Sequence, residues 1–133
     1  FPATHHLINS GNIQKIKRGS ILINTARGGL VETAALVKAL DQGILSGAGL
    51  DVLEGEELIL EEKRLLETAE NKEEWERLQL TLKNHILLQR DNVVYTPHVA
   101  FYSKEAVVRI LDTTLDNIRG FLAGNPENGV NSL

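Results

Sequence analysis

The chain has no cysteine among its 133 residues. That absence excludes a disulfide framework, a thiolate metal site and a cysteine nucleophile at once. No apolar run approaches the roughly 18 residues that a membrane-spanning helix needs, and the N-terminus shows no charged stretch followed by an apolar one, so no secretory signal is expected. Cations are in the minority, 14 Lys and Arg against 18 Asp and Glu, for a formal charge of −4. With that balance neither nucleic acid nor a membrane surface is an expected partner. What remains is a soluble protein, expected in the cytoplasm, long enough for one domain with its own core.

Three short segments stand out because each ends an apolar run, bounded by Gly or Pro, with an ionisable residue. Ile21-Leu22-Ile23-Asn24-Thr25-Ala26-Arg27 delivers an arginine, Gly49-Leu50-Asp51-Val52-Leu53-Glu54-Gly55-Glu56 a carboxylate, and Val93-Val94-Tyr95-Thr96-Pro97-His98 a histidine. Open α/β sheets bind ligands just beyond the carboxyl ends of their strands. All three groups are therefore offered to one crevice.

Between these segments the pattern alternates strand and helix. Ile13 and Ile16, with cations at the end and Gly19 as a stop, predict a short helix over 12–18. Ser20 to Ala26 reads as a strand buried on both faces, because its apolar residues are consecutive. Thr33 to Gln42 carries Ala34, Leu36, Val37, Ala39 and Leu40 on a helical stripe, with Gly43 as a left-handed cap, and a strand at about 47–53 follows. Residues 54–90 turn charged and leucine-rich, and Leu58, Leu65, Leu66, Trp75, Leu78, Leu82 and Ile86 predict two helices with a break near 69–71. Val93 to Thr96 is a third strand, stopped by Pro97. Ser103 caps a long amphipathic helix that Gly124-Asn125-Pro126 ends.

The chain resembles the D-isomer-specific 2-hydroxyacid dehydrogenases, and among them the D-lactate dehydrogenase branch. The matching stretches are Pro2-Ala3-Thr4-His5-His6-Leu7-Ile8-Asn9, Asn24-Thr25-Ala26-Arg27-Gly28, Gly47-Ala48-Gly49-Leu50-Asp51-Val52 with Glu56, and Thr96-Pro97-His98, in the family's order. Four motifs at compatible spacing are much harder to obtain by chance than a lone glycine pattern. The resemblance implies an α/β fold, the second half of a Rossmann-type doubly wound parallel sheet, incomplete and with extra helices. It implies NAD as cofactor, a small 2-oxo or D-2-hydroxy acid as substrate, with pyruvate and D-lactate first, and a homodimeric parent. Family members open a helix with Gly-x-Gly-x-x-Gly beneath the cofactor pyrophosphate, and this chain has no such turn. It is therefore read as the C-terminal part of a longer enzyme, inactive or nearly so alone. On that reading residues 1–125 are the C-terminal half of the NAD-binding domain, with a helical insertion at about 54–90, and residues 126–133 form a tail leading toward a substrate domain.

Arg27 precedes two glycines that let the backbone turn sharply, and its planar fork suits a carboxylate. By itself an arginine after a strand is more often a surface ion-pair partner; the resemblance makes it the substrate clamp. His98 is the acid/base candidate, since imidazole can give a proton to a carbonyl oxygen and take it back near neutral pH. Glu56 is its partner, a carboxylate that orients the ring and favours imidazolium. Glu54 and Glu57 lie beside it at the start of an acidic stretch, and the family's spacing of five residues beyond Asp51 selects Glu56. The longer connection from Glu56 to His98 also resembles the D-lactate dehydrogenase branch.

The resemblance further implies that Asp51 binds the nicotinamide carboxamide, that Asn24, Thr25 and Ala26 line the same pocket, and that Ala100 lies at the cofactor. Phe101 and Tyr102 would shape the pocket for a small substrate side chain, with Phe101 equally readable as core under the final helix. His5 and His6 are adjacent rather than one helical turn apart, so no metal site is expected. Two other classes stay open: a non-catalytic NAD-binding module like the corepressors that share this fold, and a purely structural truncation product that self-associates.

Overall fold

The computed structural model describes residues 2–56 and 71–129. The chain divides into two units, Phe1–His98 and Val99–Leu133. In the first, β1 (Ser20–Asn24), β2 (Leu45–Leu50) and β3 (Val93–Tyr95) form one parallel sheet in that order. Helix α1 (Thr33–Asp41) connects β1 to β2, and α2 (Lys72–Leu88) precedes β3. The register aligns Asn24 with Leu50 and Leu50 with Tyr95. The three candidate segments therefore leave the sheet along one edge, at the carboxyl ends of their strands.

The core lies on the α1 and α2 side. Ala35, Leu36, Ala39 and Leu40 of α1 meet Leu45, Ala48 and Leu50 of β2 and Leu87 of α2. Ala35 takes the place that periodicity assigned to Ala34, which is only half-buried. Gly43 closes α1 at φ +63, a left-handed conformation in which glycine pays no Cβ penalty.

Other expectations are corrected. The helix over 12–18 is a single 3₁₀ turn, Ile13–Lys15. Asn9 and Asn12 explain its shortness: the Asn12 side chain accepts the Asn9 N–H and donates to the Leu7 carbonyl, while the Asn9 side chain accepts the Gly11 N–H. Such local side-chain bonds compete with helix propagation. β2 begins at Leu45, two residues earlier than expected.

β1 is not buried on both faces, for Ile21 and Ile23 are 66% and 74% exposed, as is Val94 of β3 at 68%. Ile21, Ile23 and Val94 make the first unit's other sheet face open and apolar among the described residues. An apolar sheet face of this kind with unpaired strand edges drives association. The chain alone is expected to self-associate with rising concentration in light scattering, and replacing Ile21, Ile23 and Val94 by Thr should shift it toward monomer. Strict monomer behaviour of the parent sequence would contradict this.

Helix α2 holds another surprise. Helix α2 begins just after the stretch predicted as a break, with Asn71 capping it by accepting the Glu74 N–H at 3.0 Å; positions 69 and 70 and the earlier predicted helix lie outside the described residues. The buried stripe of α2, however, is Leu78, Thr81, Asn84 and Leu87, while Trp75, Leu82 and Ile86 are exposed. Polar residues occupy the inner face because each finds a backbone partner: Thr81 donates to Arg77 and Asn84 to Glu54.

The second unit is α3 (Lys104–Leu122), started by Ser103, whose hydroxyl accepts the Ala106 N–H at 3.1 Å. Within this unit its apolar residues, Leu111, Leu115 and Ile118 among them, stay exposed. No helix among the described residues is long and apolar enough to cross a membrane.

Candidate active site

Arg27 leaves β1 through a turn built by Asn24. The buried Asn24 side chain donates to the Arg27 carbonyl at 2.9 Å and accepts the Ala26 N–H at 3.1 Å, as short amides do where a ladder ends. Gly28–Leu30 then forms one 3₁₀ turn. Gly28 is required by what lies against it: a Cβ there would stand 1.9 Å from the Leu53 carbonyl oxygen. The guanidinium is exposed, with Nη1 donating to the Ala26 carbonyl at 2.6 Å.

The carboxylate turn runs from Leu53 to Glu56, with Gly55 at φ +67. Its internal bonds are long: the Glu56 N–H donates to the Leu53 carbonyl at 3.3 Å, and the Leu53 N–H to Glu56 Oε2 at 3.3 Å. Shorter contacts hold it from outside. Glu54 Oε2 accepts the Thr33 N–H at 2.9 Å, Glu54 Oε1 meets His6 Nε2 at 2.5 Å, and Asn84 donates to the Glu54 carbonyl at 2.9 Å. Burial alone pushes the Glu54 carboxyl up, but the bonds from Thr33 and His6 outweigh it and hold the group below the usual range. Thr33 is the first residue of α1, where a carboxylate also favours the helix dipole.

His98 is fixed by its backbone. Its N–H donates to the Asp51 carbonyl at 2.8 Å, and it adopts φ +55, an uncommon conformation for a side-chain-bearing residue. The ring turns Nδ1 toward Glu56 Oε1 at 3.2 Å. Asp51 is buried and accepts the Thr96 hydroxyl at 2.5 Å. Burial, then the charges of Glu56 and Asp51, push the Tyr95 phenol up, a sign that both carboxylates gather at the end of β3.

Arg27 and Glu56 line one cleft of about 420 Å³, together with His5, Glu54, Arg77 and Leu80. Asn24, Thr25 and Ala26 line a second, more apolar cleft of about 430 Å³ with Leu7, Ile16 and Ile21. Ala100, Phe101 and Tyr102 belong to the other unit, where the two aromatic rings meet edge to face at 5.8 Å and both are exposed.

Sequence reasoning missed three contributors. Glu54 was set aside in favour of Glu56, yet its position, three residues past Asp51, could have marked it as the anchor of the turn. Arg77 and Asn84 carry no sequence signal, being a charge and an amide inside a leucine-rich helical stretch. Adjacency does not keep His5 and His6 from meeting a third donor, for His5, His6 and Glu54 bring their ligand atoms within 4.8 Å of one another. The two imidazoles stack at 3.8 Å with their planes 29° apart, and Glu54 is already engaged by Thr33 and His6.

The family model for the NAD-binding domain of D-isomer specific 2-hydroxyacid dehydrogenases matches residues 1–100. A glycerate dehydrogenase of Methylorubrum extorquens is 39% identical over 131 residues, covering 97% of this chain and 34% of that protein. A D-specific alpha-keto acid dehydrogenase of Enterococcus faecium is 42% identical over 118 residues, covering 89% and 34%. The crystal structure of an Aquifex aeolicus D-lactate dehydrogenase complexed with NAD and lactic acid superimposes with a TM-score of 0.74 at 39% identity, over 94% of this chain and 35% of that one. The chain thus spans about a third of the length of these relatives.

The residues present fit the nicotinamide end of NAD. A small side chain, Ala26, follows β1, and the acceptor-only Asp51 carboxylate, complement of a carboxamide NH₂, is held at the end of β2. On this match, and with a three-stranded parallel sheet of the Rossmann type, the chain belongs to the D-isomer-specific 2-hydroxyacid dehydrogenase family, its residues 1–100 matching that family's NAD-binding domain.

Proposed function

We propose that the chain is the C-terminal part of a cytoplasmic, homodimeric oxidoreductase that interconverts a small 2-oxo acid and its D-2-hydroxy acid, pyruvate and D-lactate being the first pair to try. The supporting observation is the 3.2 Å approach of Glu56 to His98 Nδ1 beside the cleft that Arg27 and Glu56 share. NAD, when bound, supplies or accepts the hydride at the substrate C2. Arg27 grips the substrate carboxylate with two parallel N–H bonds and so orients the C2 carbonyl. With Nδ1 directed at Glu56, His98 presents Nε2 to the C2 oxygen, giving a proton in reduction and taking it in oxidation. Glu56 keeps the ring turned that way. Asp51 receives the carboxamide, with Asn24, Thr25 and Ala26 bordering the cofactor. The 133-residue chain alone is nearly inactive on this reading.

The test uses the full-length protein that contains this chain, with NADH absorbance followed against pyruvate and longer 2-oxo acids. Arg27→Lys keeps the charge and loses one arm of the fork. Losing one charged hydrogen bond should lower kcat/KM roughly 10- to 100-fold, largely through KM for the 2-oxo acid. Failure of the wild-type protein to consume NADH steadily with any 2-oxo acid would favour a non-catalytic NAD-binding module instead.

A further inference from the structure

We propose that Asn84 of α2 is a positioning residue for the Glu56–His98 pair, acting through the backbone of the carboxylate turn. The proposal rests on the reading of that pair given above. Asn84 is fully buried, and its amide donates to the Glu54 carbonyl at 2.9 Å across 30 residues of chain. Glu54 is followed by Gly55 at φ +67 and then by Glu56, so the bonded carbonyl lies one flexible residue from the carboxylate that meets His98. The turn's own closing bonds, both at 3.3 Å, are at the weak end of the range. Thr33 and His6 hold the Glu54 side chain rather than its backbone. Among the described residues, the Asn84 bond is the side-chain bond that reaches the Glu54 main chain from outside the turn.

The Asn84 Oδ1 is buried with no hydrogen-bond partner among the described residues, so the bond that the amide makes is the one from its Nδ2 to Glu54. The placement of Asn84 between Thr81 and Leu87 on the inner stripe of α2 makes sense if the donor is kept for where it holds Glu54. This also gives α2 a task, since Arg77 and Leu80 line the cleft and Asn84 bonds the turn.

The test is ¹⁵N NMR of the His98 ring in the full-length protein that contains this chain, at a pH where the ring is neutral, for wild type, Asn84→Leu and Glu56→Ala. Pairing of Nδ1–H with Glu56 favours the Nδ1–H tautomer in wild type, and Glu56→Ala should release it toward the mixture of free imidazole. Asn84→Leu is expected to move the ring signals at least roughly half as far as Glu56→Ala does, with the circular dichroism spectrum retained. In the full-length enzyme it should lower kcat roughly 10- to 100-fold, the scale of an ångström-size misplacement, with little change in KM. A folded Asn84→Leu chain with wild-type ring signals would overturn the proposal while leaving the pair intact. Ring signals that do not respond to Glu56→Ala would instead overturn the pairing itself and the role of Asn84 with it. If Asn84→Leu does not fold, Asn84→Ala is read in the same way.

Discussion

His98→Ala in the full-length protein is expected to lower turnover by roughly 10²- to 10⁴-fold, the usual contribution of a positioned general acid. The imidazole faces Glu56 through Nδ1 at 3.2 Å, and a methyl group in its place can neither donate nor accept the proton. One complication is local backbone: position 98 sits at φ +55, which alanine tolerates less well than histidine or asparagine. His98→Asn separates the two effects. Asparagine is at ease in the left-handed region but does not titrate near neutral pH, so its loss of turnover reports chemistry rather than strain. Steady-state NADH oxidation with pyruvate measures both variants. Unchanged turnover in His98→Asn would remove His98 from the mechanism.

Gly28→Ala is expected to destabilise the protein through a clash closer than a methyl would meet at the other glycines whose surroundings are described. The added Cβ would lie 1.9 Å from the Leu53 carbonyl oxygen, 2.1 Å from its carbon and 2.4 Å from the Glu54 nitrogen. These are backbone atoms, which cannot swing aside like the end of a side chain. Its φ lies outside the left-handed region, so the penalty is steric and not conformational. Overpacking usually costs about 1–3 kcal/mol, and a rigid contact this close belongs at the upper end, about 3 kcal/mol. Urea unfolding followed by circular dichroism should show a clearly lower midpoint. If the chain accommodates the methyl, the Leu53–Glu56 turn must move away from Arg27, and kcat/KM of the full-length protein falls with it. A wild-type midpoint together with wild-type kcat/KM would show that the two turns do not pack as tightly as described.

Much of this arrangement was legible before any coordinates. The Asn24–Arg27, Asp51–Glu56 and Thr96–His98 blocks follow β1, β2 and β3, and the parallel register brings them to one edge. The α1 boundaries and the Ser103 cap were readable because capping is local chemistry. Less legible was anything decided by what lies opposite. Ile21 and Ile23 read as doubly buried because three consecutive apolar residues usually have cover on both sides, and periodicity cannot say whether the cover is there. The inner stripe of α2 was misassigned because Thr81 and Asn84 look solvent-facing until their backbone partners are known.

By itself the sequence determined the family, the order of strands and helices, and which chemical groups end each strand, since those follow from residue type, short-range turn chemistry and spacing along one chain. The family's spacing had already selected Glu56 as the partner of His98, and the 3.2 Å approach agrees with it; only the tertiary structure decided that Glu54 ties His6 to the first turn of α1, and that an amide 30 residues away bonds the Glu54 carbonyl. The reason is physical: a carboxylate's partner is chosen by distance and direction through space, and neighbouring glutamates on a tight turn point in different directions that composition does not encode.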